Sequence, residues 1–235
     1  MFFVGTGGGA LRSLSATLIL TGVILLGVCM TFRISRLLSS TLLKGVPSSF
    51  TLELPSYRKP QIGQVIVRSV LDRTLFVLGR AITVAAPAGL IIWLFANISI
   101  GGASILSHCT TVLDPFAQLF GLDGVILMAF LLGFPANEIV IPIMLMAYLS
   151  TGTLLEMNDL NALRDLLAAN DWTWVTAVCT MLFSLFHWPC STTCLTIWKE
   201  TKSVKWTVLA VLLPTAVGLS ICFFISTSAR LLGFY

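Results

Sequence analysis

Two apolar runs of this chain are each broken by proline and polar residues: Gly133-Phe134-Pro135-Ala136-Asn137-Glu138 in the first, and His187-Trp188-Pro189-Cys190-Ser191-Thr192-Thr193-Cys194 in the second. A carboxylate, an imidazole and two thiols at membrane depth are costly unless something compensates them. A cation passing through is one such partner. The rest of the composition makes the membrane setting necessary. With 57% hydrophobic and only 10% charged residues, and a mean hydropathy of +0.96, the chain cannot cover a soluble surface with polar side chains. The expected fold is all-α, a polytopic membrane protein with about five hydrophobic segments, two of them broken or re-entrant.

The run from Leu14 to Phe32 carries no charge over about 19 residues, enough to cross the hydrocarbon at about 1.5 Å per residue. No small-residue cleavage site follows it, so it reads as a retained helix and not a signal peptide. Residues 33–60, with Arg33, Arg36, Lys44, Arg58, Lys59 and three prolines, form a basic connector that belongs on the cytoplasmic side. A first domain is therefore expected over 1–60 and a second, holding both breaks, over 61–235. Ile62 to Arg80, with Arg68 and Asp72 at i,i+4, suits an amphipathic helix at the membrane surface. Ala81 to Ile98 is the second span, with Pro87 inside it.

Residues 99–123 read as a Gly-rich connector. Gly124 to Ser150 and Thr173 to Ile197 are the broken runs. The acidic segment between them holds a short helix near Leu160 to Ala169, and Trp206 to Thr227, with Pro214, is the last span. If every run simply crosses, the acidic segment falls inside and Lys199, Lys202 and Lys205 outside, against the positive-inside bias. A re-entrant first break reverses both placements; an extra crossing within 99–123 is the alternative. The net charge of +4, carried by clusters flanking apolar runs, points to lipid head groups and away from nucleic acid. The six cysteines lie mostly inside apolar runs, where they behave as small hydrophobes and not as a disulfide scaffold. His108 beside Cys109 is a weak metal pair, because adjacent helical residues point in different directions.

At the first break Pro135 removes a donor and Gly133 unwinds at little cost, so a helix ending near Leu132 presents carbonyl oxygens that suit a cation. The next half-helix would begin at Ala136, its N-terminal dipole favouring an ionised Glu138, with Asn137 adding an amide beside it. The other reading is that Glu138 pairs with a basic side chain or snorkels to the surface. At the second break Pro189 suits the first position of a helix, which would put Cys190 in its first turn. His187, Cys190 and Cys194 stand at i, i+3 and i+7, one face of a helix that ran through. Imidazole and thiolate suit a borderline-soft ion such as ferrous iron or zinc, whereas carboxylate and carbonyl accept harder ones. Thr192, Thr193 and Thr196 are placed to satisfy freed carbonyls or to bond across helices.

Several motifs occur in one order: Leu54-Pro-Ser-Tyr-Arg-Lys-Pro-Gln-Ile-Gly63, Asp72-Arg-Thr-Leu-Phe-Val-Leu-Gly-Arg80, Gly133-Phe-Pro-Ala-Asn-Glu138, and Trp188-Pro-Cys-Ser-Thr-Thr193 followed by Lys199-Glu200. Together they resemble the C-terminal membrane half of the ferrous iron transport protein B family, from about Leu14 onward. By that resemblance Cys190 matches the cysteine of the second gate motif, Glu200 the acidic residue after it, and Asn137 and Glu138 the polar pair of the preceding broken segment. The implied ligands are Cys190, Glu138, Asn137, Cys194 and His187, with Gly133, Pro135, Pro189, Thr193 and Glu200 along the pathway. The resemblance implies import of Fe2+, as transported substrate and with no resident cofactor, through the cytoplasmic membrane of a bacterium.

Two departures qualify this. Gly7-Gly8-Gly9 lacks the lysine and hydroxyl of a phosphate loop, so the family's GTP-binding domain is expected to be missing, as is its first gate. The chain is thus expected to be a non-enzymatic permease portion, truncated or split, with Met1 as an internal start. It would work as a homo-oligomer or with a separate GTPase and first-gate chain, and with a small FeoA-like accessory protein. The competing readings are a membrane thiol redox protein using Cys190 and Cys194, and an assembly fragment without transport of its own.

Overall fold

The computed structural model describes residues 10–41, 63, 64, 67, 74–157 and 159–233. Most of the amphipathic helix expected over 62–80, with the Arg68–Asp72 pair, the glycines at 7–9 and most of the basic connector lie outside the described residues; the end of that expected helix, from Phe76, runs on without a break into the span that follows. The chain divides into two compact units, one of Ile19–Ile82 and one of Thr83–Tyr235 together with Met1–Leu18.

Helix α1 runs over Ala10–Thr41 and leaves Leu18 and Phe32 each 71% exposed. A helix this long and apolar suits hydrocarbon. Helix α2, Phe76–Asn97, contains Pro87, as expected. A short antiparallel pair, Ser99–Ile100 with Ala103–Ser104, turns the chain through Gly101 and Gly102, both at positive φ.

The sequence expectation for 99–123 is corrected here: most of it is a helix, α3, over Ile105–Leu119. Ser104 caps it by accepting from Ser107 N at 3.1 Å. Pro115 is tolerated inside it. His108, expected as a weak metal pair with Cys109, instead bonds the Ile100 carbonyl through Nε2 at 2.9 Å and ties the short hairpin to α3.

Helix α4, Gly124–Leu132, leaves α3 at 109°. Asp123 starts it by accepting from Ile126 N at 2.6 Å, and Asp114 of α3 accepts from Gly124 N at 2.9 Å. The approach is close enough to demand glycine. A Cβ on Gly124 would stand 2.0 Å from the Thr110 carbonyl oxygen.

After the first break, a 3-10 turn over Asn137–Ile139 leads into α5, Val140–Leu149. Helix α6, Leu160–Ala169, falls where the sequence places it and is capped by Asp159. Helix α7, Trp174–Phe186, begins at its Thr173 cap, the second break follows, and α8 covers Ser191–Thr201. The last helix, α9, runs over Val204–Leu231 with Pro214 inside it. α9 packs on α7 and α8, and α4 packs between α3 and α5.

The core is built where the broken helices meet. Ile126, Ala129, Phe130, Ile143, Met146, Val175, Cys179 and Phe183 are fully or almost fully buried there. Phe130 stacks edge-on to Phe183 at 4.9 Å, and a Cβ on Gly218 of α9 would come within 3.0 Å of Phe186 Cβ.

Two helices are long and apolar enough to cross a membrane among the described residues, Leu14–Thr41 and Val204–Leu231; the bent α3–α4 pair makes three if counted as one span. Ala81–Asn97 and Asn137–Leu149 are shorter apolar helices. The expectation of about five hydrophobic segments thus meets two full-length helices and several shorter pieces, because breaks and bends divide the apolar sequence.

Gly124→Ala is expected to lose about 1–3 kcal/mol through overpacking against α3, read as a lower melting temperature in detergent. Gly22→Ala, with nothing near its added methyl group, is expected to leave melting unchanged.

Candidate functional site

The first break follows from local sterics. α4 ends at Leu132, and Gly133 caps it with its N–H bonded to the Ala129 carbonyl at 2.8 Å. Pro135 has no N–H to give and its ring crowds the preceding turn, which, with Gly133 capping α4 two residues earlier, favours a stop here over the proline-containing continuation seen at Pro115. A Cβ on Gly133 would lie 2.4 Å from Val140 Cγ2 and 2.9 Å from the Ala129 oxygen, so glycine lets the two half-helices fold back closely. Ala136 is extended and starts the 3-10 turn that carries Asn137 and Glu138. Both side chains are exposed. Glu138 sits in the first turn, as the sequence suggests, but α-helical geometry begins only at Val140.

The second break differs from expectation in a way that decides which side chains can cooperate. Pro189 disfavours helical geometry at Trp188 and clashes with the turn before it, so α7 stops at Phe186 and His187 is extended, with ψ 177°. Pro189 is therefore not the first residue of the next helix. That position belongs to Ser191, and Cys190 is its N-cap at φ −62° and ψ 159°. His187, Cys190 and Cys194 consequently do not share one continuous helical face.

Each of the three has its own partners. His187 Nδ1 lies 2.8 Å from the Ser184 carbonyl oxygen, a bond in which the ring must donate. In the neutral imidazole this leaves a bare lone pair on Nε2, the arrangement seen when imidazole ligates metals. That nitrogen is buried without a hydrogen-bond partner, as is Trp188 Nε1. The ring sits 5.0 Å from Phe130 and 6.1 Å from Trp188. Cys190 Sγ is 3.1 Å from Thr192 Oγ1 and 3.2 Å from Thr193 Oγ1, hydroxyls that can donate to a thiolate. Cys194 is buried and its thiol donates to the Pro189 carbonyl at 3.6 Å. Thr196 bonds back to the Thr192 carbonyl within α8, and Glu200 is exposed near the end of that helix.

What the structure brings together is the two breaks themselves. The Ser191 N–H donates to the Phe134 carbonyl at 2.9 Å, and Ser191 Oγ lies 3.4 Å from the Pro135 carbonyl oxygen. Nothing in either motif announces this pairing. It follows from complementary shortages: a helix N-terminus has spare N–H groups, and a chain interrupted at proline has spare C=O groups. Among the described residues, no three of His, Cys, Asp and Glu assemble into a group that could hold a metal ion. The five expected ligands are thus distributed over two adjoining breaks and not preassembled around one point.

A second polar centre, which the sequence reading did not use, lies at the far end of α4. Tyr148 donates to Asp123 and accepts from Trp172 Nε1 at 2.8 Å. Asp114, Asp123, Tyr148 and Asp171 line a cavity of about 310 Å³ beside it. The legible signal was the helix-capping Asp123.

The Gate family model, described as nucleoside recognition, matches residues 78–204, and the model for the ferrous iron transport protein B C terminus matches residues 20–72. The chain belongs to the ferrous iron transport protein B family. Both breaks fall within its Gate region. The chain is 29% identical over 221 residues to an Fe(2+) transporter FeoB of Staphylococcus aureus, covering 88% of this chain and 31% of the relative. An Fe(2+) transporter FeoB of Synechocystis is 28% identical over 186 residues, covering 78% of this chain and 29% of the relative. A fused Fe(2+) transport protein A/Fe(2+) transporter FeoB of Porphyromonas gingivalis is 22% identical over 265 residues, covering 92% and 31%. The chain spans about a third of the length of these family members. No solved structure gives a significant match.

With Cys29 and Cys109 replaced by serine, a small methanethiosulfonate reagent is expected to modify Cys190 before Cys179 and Cys222, which are 0% exposed. Mass spectrometry of tryptic peptides reads the order, and modification of the buried pair first would contradict the placement of Cys190.

Proposed function

We propose that the two breaks form the pathway for Fe2+ in the permease portion of a ferrous iron transporter. The observation that carries this is the direct hydrogen bond from Ser191 to Phe134, which sets the thiol- and imidazole-bearing break against the carbonyl-bearing one. The proposed ligands are His187, Cys190 and Cys194 on one side and Asn137 and Glu138 on the other. Gly133, Pro135, Pro189, Thr193 and Glu200 shape the route. Such a mixed set suits ferrous iron, borderline in softness, better than magnesium or calcium. The distribution of ligands over two breaks suits cargo that must also leave, since a tight preassembled site would hold it.

On this reading the chain is no enzyme, the iron is substrate with no resident cofactor, and the protein is multi-pass in the cytoplasmic membrane of a bacterium. A re-entrant first break puts the acidic 151–172 segment outside and Lys199, Lys202 and Lys205 inside, in line with the positive-inside bias. The family relationship supports a need for GTPase and first-gate parts beside the region described. The fused relative supports a FeoA-like accessory protein.

Uptake of reduced, radiolabelled iron by transporter-deficient cells expressing this protein, alone and with those parts, tests the proposal. The Cys190→Ser, Glu138→Gln double variant is expected to lower uptake at least about tenfold at equal membrane abundance, the scale on which metal-site changes act. Equal uptake by the variant would contradict the assignment.

A further inference from the structure

We infer that Ser191 is a latch that closes the pathway by occupying its carbonyl oxygens, so that iron and Ser191 compete for the same groups. The inference rests on the proposed transport function and adds its gating step. The Phe134 and Pro135 oxygens lie in the interruption itself, between the end of α4 and the 3-10 turn, outside either helical ladder, and are therefore backbone oxygens available to a cation at this break. Both are met by Ser191, at 2.9 Å through its N–H and 3.4 Å through its hydroxyl. The first contact has good hydrogen-bond length; the second is long and weaker.

A second observation points the same way. His187 Nε2, whose lone pair is set up for ligation, is buried with no partner, and Trp188 Nε1 beside it is also buried without one. Buried polar groups left unsatisfied raise the energy of an arrangement. Here the cost falls on the residues that lead into Ser191. The latched form therefore carries a local penalty beside Ser191. Two arrangements of similar energy, one with the oxygens capped and one with them open, are what a gate requires.

The geometry supplies an unusually clean deletion. Ser191 is the first residue of α8, where proline is well tolerated because that N–H has no intrahelical role. Cys190 before it already has the extended geometry that a following proline demands. Ser191→Pro thus removes the donor to Phe134 while keeping the helix. Ser191→Ala removes only the weaker hydroxyl contact, and Ser191→Thr keeps both groups.

Two measurements on the full chain test the latch separately from transport. The first is hydrogen exchange of purified protein without iron, followed at the 133–139 amides. Ser191→Pro is expected to exchange about three- to tenfold faster there, as the loss of one hydrogen bond allows. Ser191→Ala should show a smaller effect, Ser191→Thr none, and α6 should be unchanged in all. The second is the concentration dependence of Fe2+ uptake. Because the latch competes with the ion, half-saturation is expected to fall by the same factor in Ser191→Pro, in the same order across the variants. Generalised damage would lower the maximal rate instead. Unchanged exchange at 133–139, or unchanged half-saturation with saturable uptake, overturns the latch. Faster exchange in Ser191→Pro with no saturable iron uptake by any variant would support the latch and refute the transport reading.

Discussion

The hydrogen bond from the Ser191 backbone to the Phe134 carbonyl joins the two interruptions on which this part of the chain is organised. In a medium without water, a broken helix is admissible only if its spare backbone groups are satisfied by protein. One break alone would leave acceptors exposed, and the other would leave donors. Set against each other, they satisfy one another, and the surrounding helices hold them in place: α4 under α3 through the Gly124 approach, and α7 against α9 at Gly218.

This arrangement explains why chemistry and fold share the same residues. Pro135 and Pro189 create the spare groups, Gly133 lets the chain fold back on Val140, and Phe130 and Phe183 fill the space between the half-helices. Around that support lie a thiol faced by two hydroxyls and an imidazole with its second nitrogen bare. Among the described residues, neither group is shown with an ionic partner. A positively charged cargo with affinity for sulfur, nitrogen and oxygen answers what they lack.

Much of the architecture was legible in the sequence because apolar length and proline act locally. The run at Leu14, the break at Gly133, the capped helix at Leu160 and the long final helix all follow from neighbours in the chain. α3 was missed because its polar residues and Pro115 mask a helix held by tertiary contact with α4. The start of α8 was misplaced by two residues, since Pro189 is compatible with a helical first turn and equally with the extended approach that Cys190 adopts. The pairing of the breaks was not legible at all. Ser191 and Phe134 are far apart in sequence, and a backbone-to-backbone bond leaves no mark on residue type.

The central claim is that one ion contacts both breaks. X-ray absorption at the iron edge of the Fe2+-loaded protein tests it most directly. The expected shell combines sulfur scatterers with nitrogen and oxygen, losing part of the sulfur in Cys190→Ser, all of it when Cys194 is replaced as well, and part of the light-atom shell in Glu138→Gln. An oxygen-only shell that neither substitution alters would contradict it.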